Sequence, residues 1–228
     1  MAVERLSPRV WSVGTWLPFP VHAWLVRSGE GLTLVDAGLA SMARQVLAAI
    51  AATGLPLQRV VLTHGHFDHT GGLPALLAAW PVPVLAHPAE IPFLRGQRRY
   101  GLTLRRGRPP LWTGPGPAVA HRPAVAALRD GECPGGLTPC HCPGHTPGHT
   151  AYWLAEERLL LGGDLFSAYL PGRLGLPTPF LTQDMDQAVR SGALVEALRP
   201  ERMAVCHGGV VRRPDLLYPA YRRRHLRK

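Results

Sequence analysis

The sequence predicts an α/β fold of packed sheets whose strand ends meet at one edge, and two observations predict it. Short apolar runs recur along the 228 residues, and they adjoin histidine or aspartate flanked by glycine. One run, Val60-Val61-Leu62, leads straight into Thr63-His64-Gly65-His66-Phe67-Asp68-His69, which holds three imidazoles and a carboxylate in six positions. Glycines at such ends let backbone come close to a buried centre.

Taken in order, Val10–Trp16 and Ala23–Arg27 run apolar or alternate as strands do, and Leu32–Val35 follows a Gly-Glu-Gly turn. Ser41 is placed to cap a helix over Met42–Ala52, closed by Thr53-Gly54. After the histidine-rich loop, Leu73–Ala79 reads as a short helix, with Pro74 in its first turn where no amide bond is lost. Val82–Ala86 is a strand, and His87–Leu94 begins a helix at Pro88. Periodicity then fails over residues 95–123, a Pro-, Gly- and Arg-rich stretch that reads as a lid or substrate loop. Strands follow near Val125–Leu128 and Gly136–Cys140, then at Ala151–Leu154 and Leu159–Leu161, the last ending in Gly162-Gly163-Asp164. Gln183–Leu198 is a helix started by Thr182 or Asp184, and Met203–Cys206 is the final strand. Pro214 and Pro219 argue against a long terminal helix.

Imidazole and carboxylate are ligands for divalent ions such as zinc, manganese and iron. His64 and His66, two apart, project the same way if extended geometry persists, while Asp68 and His69 lie where the chain must turn. One loop cannot supply a whole site. Three other segments carry ligand types at strand ends: Pro143-Gly144-His145-Thr146-Pro147-Gly148-His149, Gly163-Asp164 and Cys206-His207-Gly208. No G-x-S-x-G elbow or dinucleotide fingerprint is present, so a serine nucleophile and a nucleotide cofactor are not indicated.

In this order, H-x-H-x-D-H, P-G-H-T-P-G-H, G-D and a late strand-His-Gly, together with Leu34-Val35-Asp36-Ala37-Gly38 upstream, the chain resembles the metallo-β-lactamase-fold hydrolases from about His22 to Gly209. The resemblance implies a four-layer αββα sandwich with the metal site at one edge of two sheets. It implies that His64, His66 and His145 bind one metal, that Asp68, His69 and His207 bind a second, and that Asp164 bridges them. Two divalent ions, zinc first and iron or manganese as alternatives, would share a hydroxide that cleaves an ester, thioester or lactone, with Asp68 orienting it. The motif set is like that of glyoxalase II. Its helical glutathione-binding domain has no counterpart in the short stretch after His207. Other members give two competing readings: a mononuclear iron persulfide dioxygenase, and a phosphodiesterase that binds nucleic acid.

The length suits a single domain over 1–228. Four cysteines, at 133, 140, 142 and 206, and no apolar leader point to reduced thiols and a cytoplasmic protein without membrane association. Cys206 reads as a core residue or a support behind His207. Among the remaining histidines (22, 87, 121, 141, 149 and 225), His149 is the candidate support for a ligand.

The net charge of +10 is local: +7 over residues 91–123, +6 over 212–228 and −3 elsewhere. Arg105, Arg106 and Arg108 of the basic insert are candidate substrate-binding residues for a small, anionic substrate. Nucleic acid is the weaker partner, since aromatic side chains for base stacking are few there. The sequence leaves oligomeric state open.

Overall fold

A computed structural model describes residues 2–101 and 124–226. Strands β1 (Ala2–Ser7), β2 (Val10–Thr15), β3 (Val21–Ser28) and β4 (Gly31–Val35) pair antiparallel in succession. The sheet continues in parallel through β5 (Leu57–Val61), β6 (Val84–Ala86) and β7 (Val125–Ala127). A second sheet comprises β8 (Thr138–His141), β9 (Thr150–Leu154), β10 (Leu159–Leu161), β11 (Arg202–Ala204) and β12 (Val210–Arg212), in the spatial order β12-β11-β10-β9-β8. Here β10 and β11 are parallel neighbours. Helices α1 (Ala43–Thr53), α2 (Phe67–Thr70), α3 (Leu73–Ala79) and α4 (Ile91–Leu94) accompany the first sheet, and α5 (Met185–Ser191), α6 (Leu194–Leu198) and α7 (Pro214–His225) the second.

Side-chain alternation along the strands sorts the interior into three apolar clusters. Leu32 and Leu34 of β4 pack with Val46 and Ile50 of α1 and Leu73 and Leu76 of α3. Their neighbour Val35 faces the other way, toward Tyr152, Leu154, Leu159 and Leu161 between the sheets. Leu160 then points outward with Val189 of α5, Val195 of α6, and Tyr218 and Tyr221 of α7. Helix, sheet, sheet, helix is the four-layer arrangement expected. Each wholly buried Leu, Val or Ile contributes ~1.5–3 kcal/mol by leaving water, which is why the period-two pattern fixes the register.

Some local expectations fail, for physical reasons. Ala40–Met42 forms a 3₁₀ turn ahead of α1, and no side chain caps the helix, so Ser41 does not have the role expected of it. The helix expected over 183–198 is two helices, with Asp184 capping the first by accepting the Gln187 amide at 2.8 Å. The break falls at Gly192, where a Cβ would stand 2.6 Å from the Tyr218 ring and 2.7 Å from Phe166. α7 contradicts the reading of Pro214 and Pro219. Pro214 occupies the first turn, where its missing amide costs nothing, and buried Tyr218 and Tyr221 hold the helix across Pro219. β1 and β12 were not anticipated; both are edge strands of mixed polarity. Arg105, Arg106, Arg108 and most of the basic insert lie outside the described residues. No helix among the described residues is long and apolar enough to cross a membrane.

Candidate metal centre

The centre forms where the ends of β4, β5, β10 and β11 meet the β8–β9 turn. Hydrogen bonds join the two sheets there: the Thr150 amide donates to the Thr63 carbonyl at 2.9 Å, and the Tyr152 hydroxyl to the Leu62 carbonyl at 2.8 Å. The Cys206 amide donates to Gly163 at 2.9 Å, which sets Asp164 and His207 side by side. α2 turns the histidine loop, with the amides of His69 and Thr70 both donating to the His66 carbonyl at 3.1 Å. His64 and His66 therefore face one way, and Asp68 and His69 fall on a helical turn.

Two donor groups result. His64, His66 and His145 form one; His69, Asp164, Cys206 and His207 form the other. In the first, His66 Nδ1 lies 2.9 Å from His64 Nε2 and 3.1 Å from His145 Nε2. Nitrogens bound tetrahedrally to one zinc stand roughly 3.3 Å apart, so the spacing suits a single ion. In the second, His69 Nε2 is 3.2 Å from Asp164 Oδ1, and His207 Nε2 is 3.2 Å from Asp164 Oδ2 and 3.3 Å from Asp68 Oδ2. Asp164 Oδ2 also stands 3.3 Å from His145 Nε2, so one carboxylate faces both groups. All seven residues expected as ligands are buried and lie together. Cys206, read from the sequence as a core residue or a support behind His207, stands in the second group beside His69. A lone thiol in an apolar strand gives no signal of its own until the fold brings it beside His69.

Hydrogen bonds behind the imidazoles determine which nitrogen is free. Thr182 Oγ1 donates to the Thr178 carbonyl at 2.8 Å, so it accepts from His145 Nδ1 at 2.9 Å and leaves Nε2 unprotonated toward the centre. His207 Nδ1 donates to the Pro20 carbonyl at 2.8 Å. His69 Nδ1 donates to Asp36 Oδ2 at 2.7 Å, and Thr63 Oγ1 donates to the same oxygen at 2.7 Å. Asp36 Oδ1 takes the Thr63 amide at 2.8 Å. Asp36 has φ 58°, a strained backbone for a residue with a side chain, and these three bonds hold it there. His149, the anticipated support, accepts the Asp164 amide at 3.0 Å through Nε2.

The electrostatics divide the same way. Burial holds His64 and His145 well below the usual imidazole range and brings His66 down to about 4, so this group is neutral and basic in form. Burial also pulls on His69, yet Cys206, Asp36, Asp164 and Asp68 together hold it well above its ordinary value. Burial raises Asp164, but His207 and His69 outweigh that and keep it ionised. The second group thus demands positive charge. A bound divalent ion would supply it, displacing any protons held by those imidazoles. The buried atoms Asp68 Oδ1, His69 Nε2 and Asp164 Oδ1 complete no hydrogen bond among the described residues, as befits ligands for a cation.

With this geometry in view, comparison with known proteins is decisive. The model of the metallo-beta-lactamase superfamily matches residues 16–207. The chain belongs to that superfamily. It is 30% identical over 210 residues to the probable metallo-hydrolase YybB of Bacillus subtilis, an alignment covering 90% of this chain and 88% of YybB. It is 34% identical over 158 residues to a hydroxyacylglutathione hydrolase of Aeromonas hydrophila, spanning 69% of this chain and 51% of that enzyme. Among solved structures, TTHA1623 in a di-iron-bound form is 31% identical, with a TM-score of 0.64 over 88% of this chain and 94% of that one. The metallo-beta-lactamase family protein TTHA1429 of Thermus thermophilus shares the fold at a TM-score of 0.70 and 22% identity, covering 97% of this chain and 80% of that one. As a superfamily member with metallo-hydrolase relatives, the chain carries a hydrolase scaffold and candidate metal-binding groups.

Proposed function

We propose that the protein is a dinuclear metal-dependent hydrolase that cleaves an ester, thioester or lactone bond of a small substrate. The observation that carries the reading is Asp164, whose carboxylate stands 3.2 Å from His69 and 3.3 Å from His145, within reach of both donor groups. His64, His66 and His145 would hold one ion, and Asp68, His69 and His207 the other, with Asp164 shared. Two bound divalent ions supply Lewis acidity and bring the pKa of a water toward neutrality. The chain's own residues do the rest. Asp68, with Oδ1 unpaired, is placed to accept a proton from the attacking water and orient it. His69 and His207 are kept in ligand orientation by Asp36 and the Pro20 carbonyl. No serine or cysteine nucleophile is required, because water activated by the bound ions would be the attacking group.

Imidazole and carboxylate donors suit zinc, iron and manganese alike. Zinc is the first metal to test, and iron the second, given the di-iron form of TTHA1623. The test is a panel of ester, thioester, lactone and phosphodiester substrates against zinc-, iron- and manganese-loaded protein, with oxygen uptake followed on persulfides. Hydrolysis of a carboxylic ester, thioester or lactone supports the proposal. Turnover confined to persulfide with oxygen consumption, or to phosphodiesters, rejects it.

A further inference from the structure

One carboxylate outside the ligand set is connected to both histidine loops. Glu90 ends the 3₁₀ turn Pro88–Glu90 after β6 and is wholly buried. Its Oε1 accepts the Gly65 amide, between ligand candidates His64 and His66, at 3.1 Å. Its Oε2 accepts the Gly148 amide at 2.8 Å and the Thr146 hydroxyl, next to His145, at 3.1 Å. The Tyr100 hydroxyl donates to Oε1 as well. Four donors from three separate segments fill the roughly four lone-pair sites of one carboxylate. The Tyr100 ring so held lies edge-on to His66, 4.7 Å between centroids, and stacks on Phe93 at 4.5 Å. Both loops are shaped to admit this group. A Cβ on Gly148 would sit 2.6 Å from the Glu90 amide nitrogen, and one on Gly65 would collide with the Tyr100 hydroxyl.

We propose that Glu90 is a positioning residue for the three-histidine half of the centre, clamping the His64–His66 loop to the His145 loop and seating Tyr100 against His66. It touches neither metal nor substrate; it acts by fixing the separation of nitrogens on two loops that are 79 positions apart in the chain. The inference rests on the dinuclear reading above.

Glu90→Gln isolates the role, because it preserves size while replacing one oxygen by an amide donor. The hydroxyls of Thr146 and Tyr100 can turn to accept from that group. The backbone amides of Gly65 and Gly148 cannot, so one of the two loops must come away whichever way the side chain is set. Cobalt(II) titration of the folded protein, read by visible absorption and chelator competition, reports both ligand geometry and affinity without reference to activity. Wild type should take up two cobalt ions per chain. Glu90→Gln should lose ~10–100-fold in affinity for the ion at the three-histidine group, with an altered absorption band. Tyr100→Phe, which keeps the ring and removes the donor, should move affinity in the same direction by a smaller factor and serves if Glu90→Gln does not fold. A purely structural Glu90 would lower thermal stability and leave both cobalt affinities and the spectrum of the folded variants as in wild type. That result overturns the inference alone. A wild type that takes up no cobalt refutes the dinuclear reading, and the assignment of Glu90 to a metal centre falls with it.

Discussion

Replacing Asp36 by asparagine should cost the second metal, although Asp36 touches none. The carboxylate is wholly buried and accepts three hydrogen bonds, from the Thr63 amide at 2.8 Å, the Thr63 hydroxyl at 2.7 Å and His69 Nδ1 at 2.7 Å. An asparagine that still accepts the Thr63 amide places its NH₂ where Oδ2 was. His69 Nδ1 then faces a donor and must become the acceptor, which moves the imidazole proton to Nε2. That nitrogen is the one 3.2 Å from Asp164, and with a proton on it His69 cannot ligate. Loss of such an orienting partner typically lowers metal affinity ~10–100-fold, about 1.4–2.7 kcal/mol. Competition titration of Asp36→Asn with a chromophoric chelator should show that loss chiefly in one of two binding steps, while the three-histidine step stays near wild type. Equal, unchanged affinities in both steps would refute the tautomer argument.

Asp164→Asn should fold yet bind both ions more weakly, since a neutral amide is a poor bridge between two cations; full metal content and full turnover would show that Asp164 does not bridge. Thermal stability measured with chelator present should fall as pH is lowered from about 6.5 toward about 4. Burial depresses His149 to about 4, so the unfolded chain takes up the proton first, and stability present above 6.5 is lost on acidification. His149→Gln should lessen that decline, which buried His64, His66 and His145 share, and a pH-independent melting temperature of the wild type over the window would contradict it. Replacing Arg105, Arg106 and Arg108 together by serine should raise KM for an anionic substrate at low salt and leave kcat for a small neutral ester unchanged. KM values unchanged from wild type for both anionic and neutral substrates at low salt would assign the charge to solubility alone.

The candidate ligands were legible because their chemistry is unusual and their positions are local: imidazoles and carboxylates at the ends of apolar runs. Packed sheets were expected from the same runs and the four-layer sandwich from the resemblance, and in the structure alternation such as Leu32/Leu34 against Val35 assigns the faces. What escaped depends on long-range packing. Glu90 and Tyr100 belong to no ligand motif, and only the fold carries them to His66. Cys206 looks apolar in sequence, and the pairing of β10 with β11 brings it beside His69. α7 was misjudged because proline propensity is a local penalty, and the burial of Tyr218 and Tyr221 against Phe166 outweighs it.

The number of metal ions bound per chain tests the account most directly. Protein purified anaerobically without added metal, then reconstituted and freed of loosely held ions, should carry about two divalent ions per chain by elemental analysis, because the six terminal ligands and one shared carboxylate proposed here exceed what a single ion needs. One tightly bound ion per chain that no added zinc, iron or manganese raises to two would contradict the dinuclear centre.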